Sequence, residues 1–128
     1  MSYAIENRKN IVKAYCNGLA NIPGIRLPKY NASVKYNYSY FPIFINENEF
    51  GITRDNLYEK LKESNIYGRR YFYPLISNMP SYRGLESSNP DNLPVASLVA
   101  DSVLCLPIYA DLSEDDVQRV IVAIRSAL

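Results

Sequence analysis

Val103-Leu104-Cys105-Leu106-Pro107-Ile108-Tyr109-Ala110-Asp111-Leu112-Ser113-Glu114-Asp115-Asp116-Val117 is the stretch whose reading decides the fold. Its first four residues form an apolar run of strand length, closed by a proline, and read as a buried strand. Ser113 followed by Glu114, Asp115 and Asp116 is a capping-box pattern, with carboxylates where the helix macrodipole favours them. Val117, Val120, Ile121 and Ile124 then recur at helical spacing, so a strand leads into an amphipathic helix.

Upstream, Pro94 suits the first turn of a short helix reaching Asp101. Residues 75–92 read as a long loop, punctuated by Pro80, Gly84, Ser87-Ser88 and Asn89-Pro90-Asp91-Asn92. A loop of that length in a small domain is usually functional or disordered. Tyr67 to Tyr73 is rich in aromatics and reads as a strand ended by Pro74. Thr53 is positioned as an N-cap for a helix carrying Leu57, Tyr58 and Leu61 on its apolar face and stopping near Ser64-Asn65. Asn46-Glu47-Asn48-Glu49 reads as a loop. Val34, Tyr36, Tyr38 and Tyr40 alternate with Lys35, Asn37 and Ser39, a period-2 strand with one aromatic face. Pro42 interrupts that ladder, which suggests an edge or a bulge, and Ile43-Phe44-Ile45 resumes it. Ile11, Val12, Tyr15, Cys16 and Leu19 make the stripe of a first helix, closed by Gly18 and the Pro23-Gly24 turn.

The order α-β-α-β-loop-α-β-α predicts an α+β fold: a two-layer sandwich, with a small, mostly antiparallel sheet and helices on one face. At 128 residues the chain, 1–128, is expected to be a single domain. No internal repeat interrupts it.

Lys plus Arg number 14 against 13 Asp plus Glu, so no net field draws the chain to nucleic acid or to an anionic membrane. No apolar run approaches the roughly 20 residues needed to span a bilayer, and the start lacks the apolar region of a signal peptide, so the expected compartment is the cytoplasm. The triplets Asn31-Ala32-Ser33 and Asn37-Tyr38-Ser39 are then chance matches to the glycosylation motif. Histidine is absent, which removes Ser-His-Asp and Cys-His chemistry within this chain. Cys16 and Cys105 lie in apolar stretches; buried thiols are the favoured reading over a disulfide between them, and without a CxxC no metal site is expected. The five glycines form neither GxGxxG nor GxxxxGK, so those phosphate cradles are excluded.

Two segments invite a functional reading. Tyr36, Tyr38 and Tyr40 would stack bases in an RNA-binding sheet, but only Lys35 is interleaved, so a core or interface role is favoured. Gly68-Arg69-Arg70-Tyr71-Phe72-Tyr73-Pro74 sets adjacent arginines before an aromatic strand and a long loop. It would suit a phosphorylated or carboxylated ligand; the alternative is a solvated strand end.

Leu93-Pro94-Val95-Ala96, the run from Val103 to Ser113, and Asp116-Val117 together resemble the C-terminus of the DegT/DnrJ/EryC1/StrS aminotransferases, PLP-dependent enzymes acting on sugar nucleotides. Residues 66–74, continuing to Tyr82-Arg83, look like the family's GI-x-x-R-x-Y-F-x-P region. The opening from Arg8 through Tyr15 and Leu19 to Pro28 is similar to the helix leading into its small domain. The resemblance implies the small C-terminal domain of such an enzyme, with residues 1–24 as connecting helix and turn. In the intact enzyme an amino group passes from glutamate to a keto-sugar nucleotide. The Schiff-base lysine and the PLP-binding residues of the family belong to a large domain, and none of Lys9, Lys13, Lys29, Lys35, Lys60 and Lys62 lies in the serine-rich context of that lysine. The resemblance therefore implies no catalytic residue and no cofactor in this chain, and inactivity alone.

Carried over as substrate-binding candidates are Arg69, Tyr71, Tyr73, Ser77 and Tyr82. Many relatives have a histidine after the Pro-Leu pair, where Ile76-Ser77 stands here. Expected partners are a sugar nucleotide and a large-domain chain, with a homodimer as the family's assembly. Met1, close to the connecting helix, is expected to fall at a domain boundary. The alternative is a free-standing module that binds a sugar nucleotide or pairs with a separate large-domain chain. In either case an exposed apolar face, with the Tyr36–Tyr40 segment as one candidate, would mark where the partner docks.

Overall fold

Three amphipathic helices converge on one face of a short sheet in a computed structural model that describes residues 2–128. Met1, on which the boundary reading rests, lies outside the described residues. Helix α1 (Ser2–Gly18) buries Ile11, Val12 and Tyr15, and Leu19 follows them into the core. Gly18 lets α1 approach the last helix, α5 (Glu114–Arg125): a Cβ there would sit 3.0 Å from Cγ1 and Cγ2 of Ile121. The Arg125 Nε donates to the Gly18 carbonyl at 2.9 Å, satisfying an acceptor that the end of α1 leaves open.

The sheet has three antiparallel strands in the order β1 (Ile25–Arg26), β2 (Phe41–Ile45), β3 (Val103–Leu106). Ile25 pairs with Ile45, and Phe41 with Leu106. Phe41, Ile43 and Ile45 alternate onto the core face, where they join Leu104, Leu106 and the apolar stripes of α1, α5 and α3 (Arg54–Glu63) in one cluster. Tyr15 is fully buried, stacks on Phe41 at 5.0 Å, and gives its hydroxyl proton to the Pro107 carbonyl at 2.9 Å. Each large side chain so buried contributes about 1.5–3 kcal/mol. The remaining α-helices among the described residues are α2 (Glu47–Phe50) and α4 (Pro94–Ser102), and α4 packs against β2. The expected α+β sandwich with an antiparallel sheet is therefore found.

Both predicted caps are present. The Thr53 side chain accepts from the Asn56 amide, and Ser113 accepts from the Asp116 amide while donating to the Asp116 carboxylate at 2.7 Å. Among the described residues no helix is long and apolar enough to cross a membrane.

Several expectations fail, each for a local reason. Val34–Tyr40 is not a strand. Asn31 and Asn37 hydrogen-bond the amides of Ser33 and Ser39, offering the backbone partners other than a ladder, and Tyr38 sits at φ +52°. Tyr36 and Tyr38 instead gather on Tyr30 at 5.0 and 5.5 Å. Pro42 lies inside the central strand rather than at a bulge. β1 pairs only with Phe44 and Ile45, so no β1 bond is lost to a proline at 42. Ile25–Arg26, too short to show a period, was not anticipated as a strand, and Asn46–Glu49 is not a loop but the Asn46-capped start of α2. Tyr67–Tyr73 makes a single bridge, between Arg69 and Cys105; beyond it the Tyr73 amide turns back to the Arg70 carbonyl at 2.9 Å, which stops the ladder.

Candidate functional site

The Arg69–Cys105 bridge, with bonds of 2.9 and 2.8 Å, places the start of the aromatic segment along the free edge of β3. From there residues 69–74 curl around a cavity of about 330 Å³ lined by Arg69, Arg70, Tyr71, Phe72, Tyr73, Pro74, Ile76 and Met79. Three of the five residues singled out from the sequence, Arg69, Tyr71 and Tyr73, thus meet at one place. The other two do not line it. Ser77 is half-buried in a 3-10 turn (Ile76–Asn78), and Tyr82 is exposed on the turn after it.

The two arginines have different electrostatic roles. Arg69 is exposed; its Nη1 donates to the Tyr71 hydroxyl at 3.0 Å, and among the described residues it has no carboxylate within ion-pair distance. Arg70 is paired to Asp55 at 2.8 Å and lies 4.6 Å from the Tyr58 ring and 5.2 Å from the Tyr73 ring. Asp55 also accepts from Nε of Arg54 at 2.8 Å. Partial burial works against ionisation of Asp55, but the bonds and charges of Arg70 and Arg54 prevail and hold its carboxyl below the usual carboxylate range. Tyr71 packs edge-on to Phe72 and against Tyr40 at 5.2 Å. A guanidinium free to donate, beside aromatic faces, suits an anionic ligand that also carries a ring.

Sequence reasoning missed the residues behind this rim. Arg54 is almost fully buried, and its Nη1 donates to the carbonyls of Ala100 and Val103 at 2.9 Å each. One signal was available: an arginine directly after the Thr53 cap stands at the helix end where the dipole disfavours cations. A second cavity of about 960 Å³ lies between β1, α2 and the start of α3, with Arg26, Glu47, Arg54, Asp55 and Asp101 in its wall. Neither cavity has a lysine in its lining. Cys16 and Cys105 are both free thiols, but only Cys105 is buried as expected; Cys16 is half-buried on α1, and desolvation pushes the pKa of each thiol up.

This architecture occurs in solved aminotransferases. The aminotransferase TlmJ from Streptoalloteichus hindustanus superposes with a TM-score of 0.82 at 27% identity, over 97% of this chain and 31% of that one. The chain belongs to the DegT/DnrJ/EryC1/StrS aminotransferase family, whose model matches residues 1–125. It is 54% identical over 117 residues to the dTDP-4-amino-4,6-dideoxy-D-glucose transaminase of Escherichia coli, covering 91% of this chain and 31% of that protein. To the Shigella dysenteriae transaminase of the same description it is 36% identical over 125 residues, covering 98% and 33%. The chain thus spans about a third of the length of these sugar aminotransferases, consistent with the C-terminal portion read from its sequence.

Proposed function

We propose that the chain is the small domain of a sugar-nucleotide aminotransferase and that it closes over the active site of a PLP-holding large domain. The observation that carries this reading is the 330 Å³ cavity, which joins Arg69, without a carboxylate partner among the described residues, to the rings of Tyr71 and Tyr73 in a chain of this family. Arg69 binds the ligand's phosphates, for which a planar, bidentate donor is well matched. Tyr71 and Tyr73 offer faces to the base or sugar, and Ser77 and Tyr82, on the turns that follow, bond its hydroxyls as the domain closes. PLP supplies the electron sink for amino transfer from glutamate to the keto sugar. This chain's own part is to bind and orient the sugar nucleotide and to exclude water. Phe72 and Ile76, 73% and 66% exposed beside the cavity, are the surface the large domain covers. A cytoplasmic setting and a homodimeric assembly belong to the same reading.

The test is complementation. The chain is mixed with the PLP-loaded remainder of the Escherichia coli relative, and amino transfer from glutamate to the matching dTDP-4-keto-6-deoxy sugar is followed. The expected result is activity only in the mixture, with Arg69→Ala lowering kcat/KM by about tenfold or more, as for loss of a charge-assisted phosphate contact. An inactive mixture, with tight binding of a dTDP-sugar by the chain alone, would favour a free-standing binding module instead.

A further inference from the structure

The 330 Å³ and 960 Å³ cavities have no lining residue in common, but their linings are hydrogen-bonded to each other. Arg70 lines the smaller, Arg54 and Asp55 line the larger, and one carboxylate oxygen, Oδ1 of Asp55, joins all three by accepting from both guanidiniums at 2.8 Å. The two arginines also share a second target, since Arg54 lies 4.7 Å and Arg70 5.2 Å from the centre of the Tyr73 ring. Arg54 cannot leave: it is 3% exposed and tied to the carbonyls of Ala100 and Val103 where α4 passes into β3. Arg70 is only half-buried and belongs to the loop itself. Two guanidiniums this close repel unless an anion stands between them.

We propose that Asp55 is a positioning residue: by bridging the immovable Arg54 to Arg70, it clamps Tyr73 and keeps residues 69–74 curled around the cavity that receives the ligand. That the cavity's ligand is a sugar nucleotide rests on the function proposed above; the clamp itself does not. Without Asp55, Arg54 stays where its carbonyls hold it, Arg70 swings into solvent, and Tyr73 loses one of the two cations on its ring. The turn that Tyr73 closes onto the Arg70 carbonyl at 2.9 Å then loosens.

The experiment is NMR on the chain with labelled tyrosines and amides. Asp55→Asn is expected to move the Tyr73 ring resonances and to speed exchange of the Tyr73 amide by about threefold to tenfold, the range for a half-exposed, partly screened ion pair. The Leu104 and Ile121 amides keep their rates, which separates loosening of the loop from general destabilisation. Arg70→Gln, which leaves the Arg54–Asp55 bond in place, is expected to release Tyr73 in the same way, and the double variant to add nothing further. Should Asp55→Asn not fold, Arg70→Gln alone decides. An unmoved Tyr73 in either folded variant, additive effects in the double variant, or core amides that speed up in parallel would overturn the clamp. A dTDP-glucose titration in the same spectra tests the ligand separately. Wild-type shifts at residues 69–73 that weaken at least threefold in Asp55→Asn support both readings. Equal binding with a displaced Tyr73 overturns the positioning role, whereas no binding by the wild type counts against the sugar-nucleotide reading and leaves the Tyr73 result to decide the clamp.

Discussion

Arg54→Ala tests how much the buried guanidinium holds. It removes two hydrogen bonds to the carbonyls of Ala100 and Val103, each 2.9 Å long, from a residue 3% exposed. Bonds from a charged donor contribute about 1.5–3 kcal/mol each. Two effects reduce their sum: the guanidinium's own desolvation is recovered, and water can enter from the 960 Å³ cavity that Arg54 lines. The expected loss is therefore about 2–4 kcal/mol, to which the half-exposed Asp55 adds only a few tenths. For a chain of 128 residues this lowers Tm by roughly 10 °C. Urea and thermal unfolding followed by circular dichroism measure it. Arg54→Lys should recover less than half, because one ammonium replaces a fork that reaches two carbonyls and a carboxylate. A loss under about 0.5 kcal/mol for Arg54→Ala would refute the reasoning, since it would mean that water satisfies both carbonyls as well as the guanidinium does.

Gly24 has φ +74°, and a Cβ there would lie 2.6 Å from Cβ of Phe50 and 2.7 Å from the Asn46 carbonyl oxygen. Gly24→Ala is expected to cost about 3 kcal/mol or more, while Gly84→Ala, with nothing near its added Cβ, stays close to neutral; urea midpoints compare the two. Stability should also bend at both ends of the pH range. Asp55 titrates below its ordinary 3.8 when folded, so its stabilisation is present above that value and is lost as pH falls through the folded pKa; Asp55→Asn should flatten this acid limb. Burial, followed by the neighbouring Cys16, Tyr38 and Tyr36, pushes Tyr30 from 10.0 up to about 12, and burial raises Tyr15 further. Their contribution is complete below pH 10 and falls as pH rises from there, for Tyr30 through about 12 and for Tyr15 beyond it, which unfolding titrations with tyrosinate absorbance would record.

What the residues alone determined was whatever is decided within a few positions of itself. The Thr53 and Ser113 caps, the stripes Ile11–Leu19 and Val117–Ile124, and the buried run Val103–Leu106 were all legible, because a cap bonds three residues on and a helix repeats every 3.6. Arg69, Tyr71 and Tyr73 could be singled out together since they are neighbours in sequence as well as around the cavity. Tertiary structure decided everything that needed a partner from afar. Alternation at Tyr36, Tyr38 and Tyr40 describes a face, but a strand also requires another strand alongside, and Asn31, Asn37 and Tyr30 take these residues first. Strand β1 exists only because Ile45 and Phe44 lie across from it. The clamp joins Asp55 to Arg70, fifteen positions on, and Arg54 to carbonyls nearly fifty positions on; no local period encodes a buried charge whose acceptors arrive only when the chain has folded around it.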